Sequence, residues 1–203
     1  MENQHYYIET PTTQHDEHTW HFTLFNHDLS FTTDAGVFSR QTVDFGTRTM
    51  LENFKIKDLP DGSILDLGAG YGPVAISLAK QLPKRQFVAA EINQRAVELI
   101  KRNAQANQVA DQINVVQSDQ YSNVDGKFAA ILTNPPVRAG KAVVSGMLAQ
   151  AIDHLVLNGT LTVVLQKKQG APSAKKLMAD TFGNVQVLAK DKGYYILESR
   201  RMD

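Results

Sequence analysis

The chain has 203 residues, of which 42% are hydrophobic and 21% charged, enough for one α/β domain with a sizeable core. It carries no cysteine, which excludes disulfides, thiolate metal sites and cysteine nucleophiles together. Its 21 basic and 21 acidic residues cancel, so contact with a polyanion has to come from local clustering and not from the total charge.

The first residues are polar and lack the basic-then-apolar pattern of a secretory signal. No apolar run approaches the roughly 20 residues of a membrane helix, so the expectation is a cytoplasmic protein with no membrane contact. Residues 1–60 are rich in aromatics, Thr and His and lack a clean strand–helix alternation. The stretch Tyr6–Leu29 reads as two or three short strands, with Phe22, Leu24 and Leu29 as its apolar positions. Thr42–Phe54 reads as a helix through Val43, Met50, Leu51 and Phe54, and Leu59-Pro60-Asp61-Gly62 as a turn.

From Ser63 the rhythm changes to repeated strand and helix. Apolar runs end at Leu67, Ala90, Val116, Leu132 and Leu165, with helical patterns at Val74–Gln81, Arg95–Gln105, Ala142–His154 and Ser173–Phe182 between and after them. Strands alternating with helices of that length predict βαβ units: an α/β, Rossmann-like, mostly parallel sheet with helices on both faces. Val185–Leu188 and Tyr194–Leu197, joined across Ala189–Gly193, predict an antiparallel hairpin at the end of that sheet. The expected organisation is an N-terminal β-rich extension over residues 1–60, packed on a core over residues 61–203. The six histidines show no metal-ligand spacing; His15 and His18 are given no ligand role, and no metal is expected.

Two segments carry chemistry. The first is Ile64-Leu65-Asp66-Leu67-Gly68-Ala69-Gly70-Tyr71-Gly72-Pro73, which joins the first buried strand to a helix. Glycines let backbone pass close to a ligand, and Pro73 suits the first helical turn, whose free N–H groups face an anion or carboxylate. A dinucleotide fingerprint needs Gly or Ala where Pro73 stands, and Asp66 would repel a pyrophosphate, so a dehydrogenase-like reading is disfavoured. Asp66 suits instead the ammonium of an amino-acid ligand, directly or through water. Glu91 ends the second strand about twenty residues on, where a carboxylate accepts from ribose hydroxyls.

The second segment is Asn134-Pro135-Pro136-Val137, at the carboxyl end of the buried strand Phe128–Thr133. Two prolines fix φ and turn the backbone rigidly away. Such a turn can aim the Asn134 side-chain oxygen and the Pro135 carbonyl into one pocket. An amino group offers two donors to those two acceptors, and accepting both withdraws the nitrogen lone pair from conjugation. A conjugated exocyclic amine is a poor nucleophile, so this polarisation and alignment is the help it needs.

The glycine segment resembles motif I of class I S-adenosylmethionine-dependent methyltransferases, and the Asn-Pro-Pro segment the tetrapeptide of enzymes acting on adenine N6, guanine N2 or glutamine amides. Three further segments narrow the resemblance: Thr33–Ser39 followed by Val43–Arg48, Asn134–Lys141, and Gln166–Ala171. Together they resemble the catalytic half of RsmC-type ribosomal RNA guanine-N2 methyltransferases, from about Phe22 to Leu197. The resemblance implies that S-adenosylmethionine is bound by Asp66, Gly68, Ala69, Gly70, Gly72, Glu91, Ile92 and Asp119, with Asn134 and Phe38 closing the site, and leaves as S-adenosylhomocysteine. It implies that Asn134, Pro135 and Pro136 form the catalytic turn. Val137, Arg138, Lys141, Lys167 and Lys168 would face the substrate, a ribosomal RNA or ribosomal subunit. Two departures stand out. Many relatives carry an aromatic at Val137 that stacks on the base, which leaves Phe38 and Tyr71 as candidates here. The longer family members also carry a second methyltransferase-like domain, without which a monomer or homodimer is expected. The alternatives are methylation of a glutamine amide in a protein and a non-catalytic RNA-binding module.

Overall fold

The computed structural model describes residues 9–203. It opens on a hairpin of β1 (His18–Leu24) and β2 (His27–Thr33), closed by the two-residue turn Phe25-Asn26 with φ of 52° and 61°. Positive φ at both turn residues matches the twist of the flanking strands. This is the β-rich region expected within Tyr6–Leu29, with two strands where two or three were expected; it runs on to Thr33, and Tyr6–Ile8 lie outside the described residues. Helix α1 (Phe45–Asn53) follows, its first turn capped by the Asp44 carboxylate, which accepts from the Thr47 N–H at 3.1 Å.

The main sheet has seven strands, in the order β5-β4-β3-β6-β7-β9-β8. Strands β3 (Ile64–Leu67), β4 (Phe87–Glu91), β5 (Ile113–Gln117), β6 (Phe128–Thr133) and β7 (Leu155–Gln166) are parallel. Strands β8 (Gln186–Asp191) and β9 (Tyr194–Arg200) form the antiparallel end, β9 pairing with β7. The connecting helices are α2 (Pro73–Gln81), α3 (Gln94–Ala106), α4 (Lys141–Ala149) and α5 (Ala171–Phe182). β3 and β6 are buried at every position, as strands covered by helices on both faces must be. Their side chains still alternate: Ile64, Ala130 and Leu132 face α1, α2 and α3, while Leu65, Leu67 and Ile131 face α4 and α5.

The helix read over Thr42–Phe54 shortens to Phe45–Asn53, and two further boundaries move more. The helix read over Ala142–His154 ends at Ala149 and tightens to 3-10 turns over Gln150–His154. Tyr121 causes this locally: its hydroxyl donates to the Met147 carbonyl at 2.8 Å, and its ring stacks on His154 at 4.4 Å. The C-terminal turn is not the five residues Ala189–Gly193 but the pair Lys192-Gly193, with φ of 44° and 83°, so both strands are longer than their apolar runs.

The hairpin β1–β2 lies over α2 and α3. Leu29 and Phe31 are fully buried, and Trp20, Phe31 and Tyr71 form a ring cluster with centroids 5.3–5.8 Å apart. The open edge of β2 is paired by two asparagines one turn apart, one on α3 and one at its C-terminal cap. Asn103 accepts from the Thr32 N–H at 2.8 Å and donates to the Thr32 carbonyl at 3.0 Å. Asn107, one residue past that helix, does the same for Ser30 at 3.0 and 2.7 Å. Side-chain amides thus stand in for a neighbouring strand and leave the edge satisfied.

Candidate active site

The chain runs outward from β3 to β4 and β5, then returns to place β6 on the other side of β3. The loops after β3 and β6 therefore diverge and leave a crevice at the carboxyl ends of the strands. A cavity of about 660 Å³ opens there. Its walls come from the loop before α1, the glycine loop after β3, the end of β4 and the turn after β6.

The glycine loop is fixed at both ends. Gly68 and Ala69 donate to the Ala90 carbonyl at 2.8 and 3.0 Å, and Gly70 donates to Glu91 Oε2 at 2.8 Å. Gly72, with φ of 95°, starts α2; a Cβ there would lie 2.9 Å from Ile76 Cδ1, so no other residue fits without displacement. Asp66 is fully buried beneath this loop and accepts from the Ala75 N–H at 3.0 Å. Burial pushes its carboxyl up to about 7, the Ala75 hydrogen bond opposing and the Glu91 charge adding. Burial also raises Glu91, against the backbone N–H groups of Asn93, Gly70 and Ile92. Two buried carboxylates with no basic partner among the described residues form a donor-seeking wall, the chemistry that an ammonium and a pair of hydroxyls would satisfy.

The other wall is the turn after β6. Thr133 Oγ1 donates to the Leu67 carbonyl at 2.8 Å and ties the end of β6 to the end of β3. Asn134 comes next. Its Nδ2 donates to Asp44 Oδ2 at 3.1 Å and to Thr47 Oγ1 at 3.0 Å. Both amide hydrogens are used on Asp44 and Thr47, so the amide oxygen is the end left for an occupant. Pro135 and Pro136 are buried, and Val137 begins a 3-10 turn with its side chain packed toward the α4 and α5 core.

The residues named from sequence divide in two. Phe38, Asp66, Gly68, Ala69, Gly70, Glu91, Asn134, Pro135, Pro136, Val137 and Arg138 all line the cavity. Gly72, Ile92, Asp119, Lys141, Lys167 and Lys168 do not; Asp119 and the three lysines are exposed outside it. Tyr71 lines the cavity but is buried in the Trp20 and Phe31 cluster, so its ring is committed to packing, whereas Phe38 is 42% exposed. Sequence reasoning gave no role to Asp44 and Thr47, although they lie in the quoted segment Val43–Arg48, and missed Tyr194. Tyr194 adds an aromatic wall from β9, its ring 5.6 Å from Phe45 and close against Gly46. The clue to Asp44 was its place as the cap before an amphipathic run, which reads as structure alone.

Comparisons with known proteins agree with this geometry. The methyltransferase small domain family matches residues 28–198. The chain is 45% identical to the uncharacterized protein YbxB of Bacillus subtilis (strain 168), over 98% of this chain and 100% of that one. It is 30% identical to ribosomal RNA small subunit methyltransferase C of Yersinia enterocolitica, over 85% of this chain but 49% of that protein, so it spans about half the length of such relatives. Among solved structures, the T. thermophilus 16S rRNA N2 methyltransferase RsmC, in complex with AdoMet and guanosine, superposes with a TM-score of 0.81 at 24% identity. That match covers 94% of this chain and 52% of that one. The chain belongs to the methyltransferase small domain family, a class I S-adenosylmethionine-dependent methyltransferase that resembles ribosomal RNA small subunit methyltransferase C.

Proposed function

We propose that the protein methylates the exocyclic N2 amine of guanine in ribosomal RNA. The observation that carries this reading is the Asn134 amide. Its nitrogen is occupied by Asp44 and Thr47, which leaves an acceptor facing the same cavity as the Asp66 and Glu91 carboxylates. S-adenosylmethionine supplies an electrophilic methyl group when bound. The chain's own work is to hold the amine and align it.

In this reading Asp66 takes the methionine ammonium and Glu91 the ribose hydroxyls. Gly68, Ala69 and Gly70 shape the backbone around the ligand, with Gly72 starting the helix behind them, and the adenine extends past the cavity toward Ile92 and Asp119, just beyond the ends of β4 and β5. Asn134 and the Pro135 carbonyl accept the two amine hydrogens, and Pro136 holds the turn rigid. Polarised in this way, the nitrogen presents its lone pair in line with the methyl group, and the proton it later sheds goes to water. Val137 is too small to stack on a base, and the aromatic walls at Phe38 and Tyr194 take that part. Arg138 at the rim, with Lys141, Lys167 and Lys168 outside it, contacts phosphates around an extruded nucleotide. The described residues before the core, 9–60, act as an extension that covers the cofactor, since Val37–Gln41 and Asp44 line the same cavity as the 61–203 core.

The test is transfer of labelled methyl from S-adenosylmethionine to bulk RNA and to total protein, followed by nucleoside and amino-acid analysis. Label on guanine N2 is expected; label on glutamine, or on neither, would overturn the reading.

A further inference from the structure

Asp44 has two oxygens in different surroundings. Oδ2 accepts from the Thr47 N–H and from Asn134 Nδ2, both at 3.1 Å. Oδ1 takes no hydrogen bond from any described residue, and no Lys, Arg or His among them is paired with this carboxylate, which lines the cavity beside Asn134. A half-buried carboxylate with one oxygen unused in a cavity wall asks for a donor on whatever enters.

Exocyclic amines differ in what flanks them. The N2 amine of guanine sits next to the ring N1–H, a further donor. The N6 amine of adenine sits next to N1 with a lone pair, which a carboxylate repels. The amide of a glutamine has no ring N–H at all. An amine placed on Asn134 Oδ1 brings its flanking ring atom toward Asp44.

We infer that Asp44 both positions Asn134 and selects guanine, its Oδ2 holding the Asn134 amide and its Oδ1 accepting the ring N1–H. The inference rests on the amine-methylation reading above and goes beyond it by naming the group that discriminates between bases. The carboxylate has a second effect. A charged acceptor behind the amide strengthens the bond to Nδ2 and increases the electron density on Asn134 Oδ1, where the amine hydrogen is accepted.

The competing account is that Asp44 does no more than cap α1. Asp44→Asn separates the two, because asparagine caps a helix as well as aspartate does. Its oxygen in the place of Oδ2 keeps the bonds from Thr47 and Asn134, and its NH₂ replaces the free acceptor with a donor. That donor faces the N1–H of guanine unfavourably and matches the N1 lone pair of adenine.

The experiment measures labelled methyl transfer to oligoribonucleotides carrying guanine, N1-methylguanine or adenine, by the wild type, Asp44→Asn and Asp44→Ala. Melting midpoint and S-adenosylmethionine affinity are followed alongside. For Asp44→Asn, kcat/KM on guanine is expected to fall on the order of 100-fold, chiefly through KM, while the preference for guanine over adenine collapses. Melting midpoint and cofactor affinity stay at wild-type values. The wild type is expected to lose N1-methylguanine by a similar factor. Asp44→Ala also removes one of the two acceptors on the Asn134 amide, Thr47 Oγ1 keeping the other, so kcat falls as well and the amide proton that Asp44 accepts loses its protection from exchange in NMR spectra. Unchanged guanine preference in Asp44→Asn, or loss of activity that follows a drop in melting midpoint, would overturn the inference. If the wild type labels no nucleobase, the function proposed above fails instead, and the Asn134 exchange measurement still decides whether Asp44 holds that amide.

Discussion

At the scale of single residues, Asp66 makes the sharpest demand on conditions. Its carboxyl is buried and titrates near 7, far above the aspartate value of 3.8 in the unfolded chain. In the ligand-free protein the group is therefore half protonated at neutral pH and neutral below it. A cationic ligand requires the charged form, so binding below pH 7 has to expel a proton. S-adenosylmethionine affinity is expected to fall about tenfold for each pH unit below 7, and to level above it. Calorimetry at pH 6 in two buffers of different ionisation heat should register about one proton released, and Asp66→Asn should abolish the dependence; a pH-independent affinity between 5.5 and 7 contradicts it. Stability runs the other way. Because the folded value is raised, Asp66 favours folding fully below pH 3.8, and that contribution is lost as pH rises through 7. The residues that were legible from sequence, Asp66, Glu91 and Asn134, share one property: each sits at a strand end, where type and position together define a role. Asp44 was not legible because its partner lies 90 positions away, and only the fold brings them together.

At the scale of elements, α1 couples the two walls of the cavity. Its capping residue holds Asn134, and its second residue, Gly46, lies against the ring of Tyr194 from β9. A Cβ at Gly46 would meet Tyr194 Cε1 at 2.7 Å and Cδ1 at 2.8 Å, closer than packed atoms tolerate. Gly46→Ala, a substitution that favours helices in isolation, is expected to destabilise the protein by about 1–3 kcal/mol through overpacking. It should also lower methyl transfer, since the helix start carrying Asp44 and Thr47 must move. Urea denaturation with the activity assay checks both; a more stable variant of full activity would show that the ring gives way freely. The helix itself was readable from Met50 and Leu51, although Val43 and Phe54, read as part of it, lie just outside its ends, and its neighbours were readable from strand–helix alternation. The helix end at Ala149 and the Lys192-Gly193 turn were not, because a ring stacked on His154 and a two-residue turn leave no trace in apolar periodicity.

At the scale of the whole molecule, the hairpin β1–β2 raises a question of cooperativity. It is outside the main sheet, yet its loop to α1 supplies part of the cavity wall, so the site is complete only while the hairpin is seated. What seats it is the Phe31, Trp20 and Tyr71 cluster on one side and the Asn103 and Asn107 amides on its open edge. Replacing both asparagines with alanine leaves the backbone groups of Ser30 and Thr32 without those partners, at a cost of about 1–3 kcal/mol for each buried group that water does not reach. The chain has a single tryptophan, and Trp20 is on this hairpin, its ring 5.8 Å from Tyr71 at the mouth of α2. Trp20 fluorescence therefore reports detachment of the hairpin, while far-ultraviolet circular dichroism reports the helices of the core. In the wild type the two signals should change together with urea. In Asn103→Ala/Asn107→Ala the fluorescence transition is expected at lower urea than the dichroism transition, with S-adenosylmethionine affinity reduced in the same range. Coincident transitions at the wild-type midpoint would mean that the ring cluster alone seats the hairpin and that the paired amides do no more than keep its edge from other strands.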